Sequence, residues 1–457
     1  MTEDEGAWGY RLVRALVRVL LAVFYRRIEV VATTPIPTGP LIVAANHHNS
    51  VVDAMLLLAV IPRRLRTLAN APLFRHPLIG PFLRLLGALP VHRRQEAGDD
   101  PSRNAALFDA TTAALRGGGA ILIFPEGRTQ PEPALQELRT GAARMLLAAE
   151  APAPVGVTLL PVGLVFQQPG TFRDGQGLVQ IGAPIETDDA VALAASAPLD
   201  AARLLTDRLG AALRALIVEA DDRQTLRLLG LVEGLWREAG GSVPRTGPGQ
   251  IAWLQRAAAS YHVLLRSETA RVSAFRQALE AYAAKCERVG VSAAEPPPRE
   301  TVGSAVRFVL HQAFALLVGA PLALLGIVLH FVPYQLTAAA VHALHATDEE
   351  EATDKIAAGL VMYPSAWALE AWGAYRIGGP WGLALLAAAL VPCGFFALAW
   401  RERLGRLRRE ARAFFALRGD PALRERLQQE RGRLAGELQL LARSAADHAN
   451  SGEGGAR

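Results

Sequence analysis

The sequence predicts an α/β protein with a mostly parallel central sheet flanked by helices, followed by a helical extension and a C-terminal transmembrane helical region. Three observations predict it. Between about residues 28 and 190, the β-like runs LIVAA, RTLAN, GALPV, AILIF and VTLLPVGLVF alternate with periodic segments such as NAALFDATTAALR, the rhythm of strand and crossover helix. From 188 to 290 a helical pattern continues, broken at GGSVPRTGPG and closed by the proline-rich SAAEPPPRE. Apolar spans follow at 308–329 and 380–400, each long enough to cross a bilayer core of about 30 Å.

Five segments follow in chain order. In residues 1–27, GYRLVRALVRVLLAVFYRR spaces Arg11, Arg14 and Arg18 by three and four beside a broad apolar face. That is an amphipathic helix, suited to a membrane interface or to packing on its own domain. The start MTEDEGAW is acidic and no small-residue cleavage site follows the apolar run, so no secretory signal is expected. Residues 28–190 hold the strand and helix alternation and every chemistry-bearing motif. Residues 191–300 are the helical extension and linker. Within 301–400, segments 333–345 and 356–377 are weaker span candidates, the first short and the second carrying Glu370 and Arg376; a hairpin pair is expected. His311, His330, His342 and His345 show no paired carboxylate spacing and read as interfacial or packing residues. Residues 401–457 form a basic tail whose opening, RERLGRLRRE, predicts a cytoplasmic side, with Asp420 as the N-cap of a last helix starting at Pro421.

Composition narrows the class. Of 457 residues 51% are apolar, and mean hydropathy is +0.20, which makes membrane association the first expectation. Lys and Arg number 48 against 43 Asp and Glu, and the basic residues sit beside apolar stretches, a pattern for an anionic lipid surface rather than nucleic acid. Cys286 and Cys393 lie far apart and outside any metal spacing, so neither a disulfide framework nor a zinc site is indicated and a reducing compartment fits. There is no G-x-S-x-G elbow, dinucleotide fingerprint or P-loop; GGG at 117–119 reads as a helix-to-strand connection.

The chemistry concentrates in NHHNSVVD, residues 46–53, directly after the buried run PLIVAA. An imidazole beside a carboxylate is a ready general base. On one continuous helix His48 and Asp53 would be rotated by about 140° from each other. If His48 instead sits in the turn and the helix begins at Ser50, Asp53 falls in the first helical turn and can swing back. The same residues also make an S-x-x-D capping box from Ser50 to Asp53. Two further blocks support a site: FPEGRT at 124–129, which places Glu126 and Arg128 just past the strand AILIF, and GALPVHRR at 87–94. Ligand crevices open at the carboxyl ends of strands in such sheets, and an arginine there offers a fork to phosphate. Each block alone also fits a solvated turn. PLIGPFLRLLG, residues 77–87, suits membrane docking, an acyl channel or core packing.

In order, NHxxxxD, GALPVHR, FPEGRT and LLPVGLVF resemble the four blocks of the glycerolipid acyltransferase superfamily, which includes glycerol-3-phosphate and lysophosphatidic acid acyltransferases. The resemblance covers roughly residues 30–190, and the long membrane-bound extension resembles the branch containing yeast-type glycerol-3-phosphate acyltransferases. It implies that residues 28–190 are the catalytic domain of a membrane-bound O-acyltransferase. Its expected partners are an acyl-CoA or acyl carrier protein donor, a phosphorylated glycerol acceptor and membrane lipids, with no nucleic acid, no cofactor and no metal. It further implies that His48 is the general base and Asp53 its orienting carboxylate, that Arg93 with Glu126, Gly127 and Arg128 forms the acceptor phosphate site, and that Pro161 belongs to the acyl-donor region. Arg94 and Asn46 are secondary candidates. Many members read FPEGTR where this chain reads FPEGRT, so Arg128 stands one residue early. The expected place is a membrane, with the catalytic domain on the cytoplasmic face. The alternatives are a lysophospholipid-remodelling acyltransferase and an inactive membrane scaffold.

Overall fold

The computed structural model describes residues 3–75, 79–92, 104–129, 133–151, 153–167, 176–220, 222–244, 248–294, 302–344 and 351–453. Buried apolar runs become the strands of one seven-stranded sheet. They are β1 (Arg27–Ala32), β2 (Leu41–Ala45), β3 (Leu65–Asn70), β4 (Leu89–Val91), β5 (Ala120–Ile123), β6 (Thr158–Gln167) and β7 (Gln176–Ile181), in the order β1-β7-β6-β2-β5-β3-β4. Neighbours pair in parallel except β6 with β7, so β1 and β7 run against the other five.

Helices cover both faces of this sheet, as parallel strands require. They are α1 (Glu3–Phe24), α2 (Ser50–Val60), α3 (Ile79–Leu86), α4 (Asn104–Arg116), α5 (Gly141–Glu150), α6 (Asp188–Ala194) and α7 (Pro198–Leu216). Alternation along β2 divides the core. Leu41, Val43 and Ala45 join Val17, Leu21 and Leu56 on one side, while Ile42 and Ala44 join Leu146, Leu205 and Leu209 on the other. All five β2 residues are fully buried. The helices α6 and α7 thus extend this compact unit to Asp222, beyond the boundary expected at 190, because the second core needs Ala190, Leu205 and Leu209 to close it.

One face of α1 packs on its own unit. Its apolar stripe, Tyr10, Val13, Val17, Leu21 and Phe24, is buried in the first core. Its arginines face the carboxyl end of α2. Arg14 donates to the Ile61 carbonyl at 2.8 Å and Arg18 to that of Ala59 at 3.0 Å, so cations occupy the carbonyls that end a helix leaves unpaired. Likewise Leu83 and Leu86 of PLIGPFLRLLG are buried, which supplies the packing reading for that segment.

A second compact unit holds most of the rest, with α8 (Arg223–Glu238), α9 (Pro248–Ser267), α10 (Thr269–Val289), α11 (Val302–Leu344), α12 (Glu351–Gly419) and α13 (Pro421–Glu453). Two of its stretches, Leu310–Ala343 and Thr353–Gly419, are long and apolar enough to cross a membrane. The four span candidates of the sequence therefore fall on two long helical runs, the second kinked at Gly379, whose φ of 56° only glycine adopts readily. The helix runs on through the boundary expected at 401 to Gly419. Asp420 does cap α13, its Oδ1 accepting the Leu423 N–H at 2.9 Å. Cys286 and Cys393 are free and buried. His345 lies outside the described residues.

Candidate active site

Parallel pairing brings the motifs together. β2 lies beside β5 with Ala44 opposite Ile123, so the turn after Ala45 and the turn after Ile123 emerge side by side at the carboxyl ends of adjacent central strands. The first turn is fixed by Asn46, which is fully buried. Its Nδ2 donates to the Leu164 carbonyl at 2.8 Å and its Oδ1 accepts the Leu164 N–H at 2.6 Å, so a side-chain amide adds one rung to the ladder between β2 and β6. Asn46, a secondary candidate by sequence, has a structural task.

The helix α2 begins at Ser50, as the general-base reading requires, and Ser50 sits at φ +44°, a left-handed conformation rare outside glycine. Such strain persists where the surroundings enforce it. Here Asp53 does so. Its Oδ2 accepts the N–H groups of His48 and Asn49, both at 2.8 Å, and lies 2.9 Å from Nδ1 of His47. The carboxylate is fully buried. It therefore holds the ring of His47 and reaches residue 48 through the main chain. His47 is thus a second candidate base beside the expected His48. The capping-box expectation changes: Asn49 is the N-cap, without a side-chain cap bond, and Asp53 bonds main-chain groups ahead of the helix.

His47 is also gripped from the second turn. Its ring stacks on Phe124 with centroids 4.0 Å apart and planes 13° apart. Its N–H donates to Glu126 Oε1 at 2.8 Å, while Glu126 Oε2 accepts the Gln136 N–H at 3.1 Å. Glu126 is 3% exposed, and burial pushes its carboxyl up to about 6 against the opposing effect of those two N–H donors. Gly127 has φ +72°, and a Cβ there would lie 2.7 Å from Arg139 Nε, so the turn needs glycine for its backbone and for the arginine beside it. Arg128 is exposed and donates to Gln136 Oε1 at 3.1 Å.

Behind the dyad, Asn49 Nδ2 donates to the Tyr25 hydroxyl at 2.7 Å. Burial drives that hydroxyl well above the usual tyrosine range, and the nearby Asp53 charge adds to the shift. Pro161 lies within β6, opposite Ala44, one rung before the Ala45–Val162 pair that ends the ladder with β2. Arg93 and Arg94 lie outside the described residues; the preceding His92 is held by Asn104, which brackets its N–H and carbonyl at 3.0 and 2.8 Å. Among the described residues no group of three or more His, Cys, Asp or Glu is placed to hold a metal.

The structure adds His47, Tyr25 and Arg139 to the surroundings of the sequence candidates. The doubled histidine was the available signal for the first, and the aromatic before Pro-Glu-Gly-Arg is its stacking partner. Chemically, an acceptor-only carboxylate on Nδ1 fixes the imidazole tautomer and leaves Nε2 as the basic nitrogen.

Residues 13–165, which contain both turns, match the family model described as Acyltransferase. An uncharacterized acyltransferase of Schizosaccharomyces pombe is 23% identical over 312 residues, covering 49% of this chain and 46% of that protein. A 1-acyl-sn-glycerol-3-phosphate acyltransferase of Cocos nucifera is 25% identical over 144 residues, covering 31% of this chain and 45% of that protein. The chain thus spans about half the length of these curated relatives. Among solved structures, the 1-acyl-sn-glycerophosphate acyltransferase PlsC of Thermotoga maritima is 17% identical over 47% of this chain and 83% of that one, with a TM-score of 0.35.

Proposed function

We propose that this chain, whose residues 13–165 match the family model described as Acyltransferase, is a membrane-bound O-acyltransferase of the glycerolipid acyltransferase superfamily. It moves a fatty acyl group from a thioester, acyl-CoA or acyl carrier protein, to glycerol 3-phosphate or 1-acylglycerol 3-phosphate. The observation that carries this reading is the 2.9 Å contact of His47 Nδ1 with buried Asp53, next to the Glu126 turn.

The His47 Nε2 accepts the proton of the acceptor hydroxyl as its oxygen bonds to the thioester carbonyl carbon. The tetrahedral oxyanion then collapses, the carbon–sulfur bond breaks, and the imidazolium returns its proton to the departing thiolate. The imidazolium carries the transient positive charge, and the Asp53 carboxylate compensates it. No protein nucleophile is required, because a thioester is already activated; a positioned base contributes about 10²- to 10⁴-fold. Glu126 fixes the His47 main chain, and Arg128, Arg139 and Arg93 supply cations for the acceptor phosphate. Pro161 stands with the donor side. A second reading takes His48 as the base, favoured by the H-x4-D match of the sequence.

Long acyl chains remain in bilayers, since each buried CH₂ contributes about 0.8 kcal/mol. The apolar helical runs Leu310–Ala343 and Thr353–Gly419 give the enzyme a place there, with the catalytic unit on the cytoplasmic face. The test is purified full-length protein with labelled acyl-CoA and a panel of acceptors. Product with glycerol 3-phosphate or its 1-acyl form supports the proposal; product only with lysophospholipids of larger head group, or with none, overturns it.

A further inference from the structure

The helices α8, α9, α10 and α13 turn one face each toward a common cavity of about 360 Å³. On α9 the spacing is clear: Trp253, Ala257, Ser260, Tyr261 and Leu264 recur at three and four residues. Leu229, Leu279 and Leu441 form buried walls, each at most 5% exposed. The volume falls in the range of about 300–1,000 Å³ common for small-molecule sites.

Its charge is one-sided. Among the described residues its lining contains two cations, Arg256 and Arg276, and no carboxylate. Arg276 is shared with a neighbour outside the lining, Glu280, at 3.0 Å, and lies 3.4 Å from the Tyr261 hydroxyl. Arg256 is exposed and makes no hydrogen bond or ion pair among the described residues. An apolar chamber with aromatic walls and an unneutralised guanidinium at its edge matches an amphiphile with one long chain and an anionic head. A cavity left dry would deprive its lining of dispersion contacts.

We propose that this cavity binds a single-chain anionic lipid, the chain between the leucine walls and the carboxylate or phosphate head on Arg256. This site is separate from the His47–Asp53 pair and does not depend on the acyl-transfer reading.

The test uses full-length protein in non-ionic detergent with a diazirine-bearing long-chain fatty acid, photolysed and mapped by peptide mass spectrometry. Saturable label in 225–236, 253–264, 272–279 or 438–442 is expected, and palmitate should displace it. Methyl palmitate should compete about tenfold less well or worse, since it lacks the charge-assisted contact. Arg256→Gln should weaken labelling by a similar factor, and Leu279→Trp, which fills the chamber, should abolish it. If Leu279→Trp does not fold, the exposed Arg256→Gln still decides. Stronger displacement by palmitate than by 1-palmitoylglycerol 3-phosphate identifies a carboxylate head, and the reverse identifies a phosphate. Labelling must persist in His47→Ala protein. Label confined to 302–419 or 13–165, or equal competition by the methyl ester, overturns the proposal.

Discussion

Replacing Asn46 tests how the candidate site is held. Asn46→Ala deletes both bonds to Leu164, leaving its N–H and carbonyl unpaired in a strand where Leu164 is 1% exposed. Each buried orphan costs about 1–3 kcal/mol, so the loss is about 2–6 kcal/mol. At about 3 kcal/mol, a unit of this size should melt roughly 6–12 °C lower. Exchange of the Leu164 amide should quicken by roughly 10²-fold, since 1.36 kcal/mol is a factor of ten. Asn46→Asp adds a pH signature. Protonated, its carboxyl can still donate to the Leu164 carbonyl; ionised, it cannot. The defect should therefore be small at low pH and grow as pH rises through the range where that buried carboxyl ionises. Hydrogen exchange read by mass spectrometry on peptides spanning 158–167, with thermal unfolding in parallel, measures both. Wild-type exchange at Leu164 in Asn46→Ala would refute the rung as a support of the turn.

Three further outcomes are expected. Gly127→Ala forces a left-handed alanine at φ +72° against Arg139, costing about 1–3 kcal/mol and raising the acceptor KM; a melting curve and kinetics like wild type would contradict it. Because the Glu126 carboxyl sits at about 6 rather than 4.5, the folded protein keeps its proton where the unfolded chain has lost it. Its contribution to stability is then greatest below about pH 4.5 and falls by about 2 kcal/mol as pH rises through 6. Glu126→Gln should remove that slope between pH 4.5 and 6 in denaturant titrations. Arg128→Ala should raise the KM for a phosphorylated acceptor with little change in kcat, as a lost ground-state contact does; an unchanged KM would transfer the phosphate to Arg139 or Arg93.

Much of this site could be read from the chain because strand ends and turn residues are local signals. LIVAA is β2 to the residue, Ser50 opens α2, and Pro-Glu-Gly-Arg follows β5. What escaped was set by distant pairing or by a single backbone angle. β1 and β7, six residues each, take their register from each other, and β7 takes it also from β6. The contact of the His47 ring with Asp53 stands beside Ser50 at φ +44°, a backbone angle no periodicity predicts. For α1, an arginine-flanked apolar stripe suits a lipid surface and a protein core equally; the contacts of Arg14 and Arg18 with the carbonyls at the end of α2 depend on tertiary packing.

The most direct measurement is acyl transfer by His47→Ala and His48→Ala side by side, each with hydrogen exchange to verify the fold. The Asp53-held ring predicts that His47→Ala loses about 10²- to 10⁴-fold in kcat while His48→Ala keeps most of it. Full turnover by His47→Ala, with activity lost in His48→Ala, would contradict the assignment.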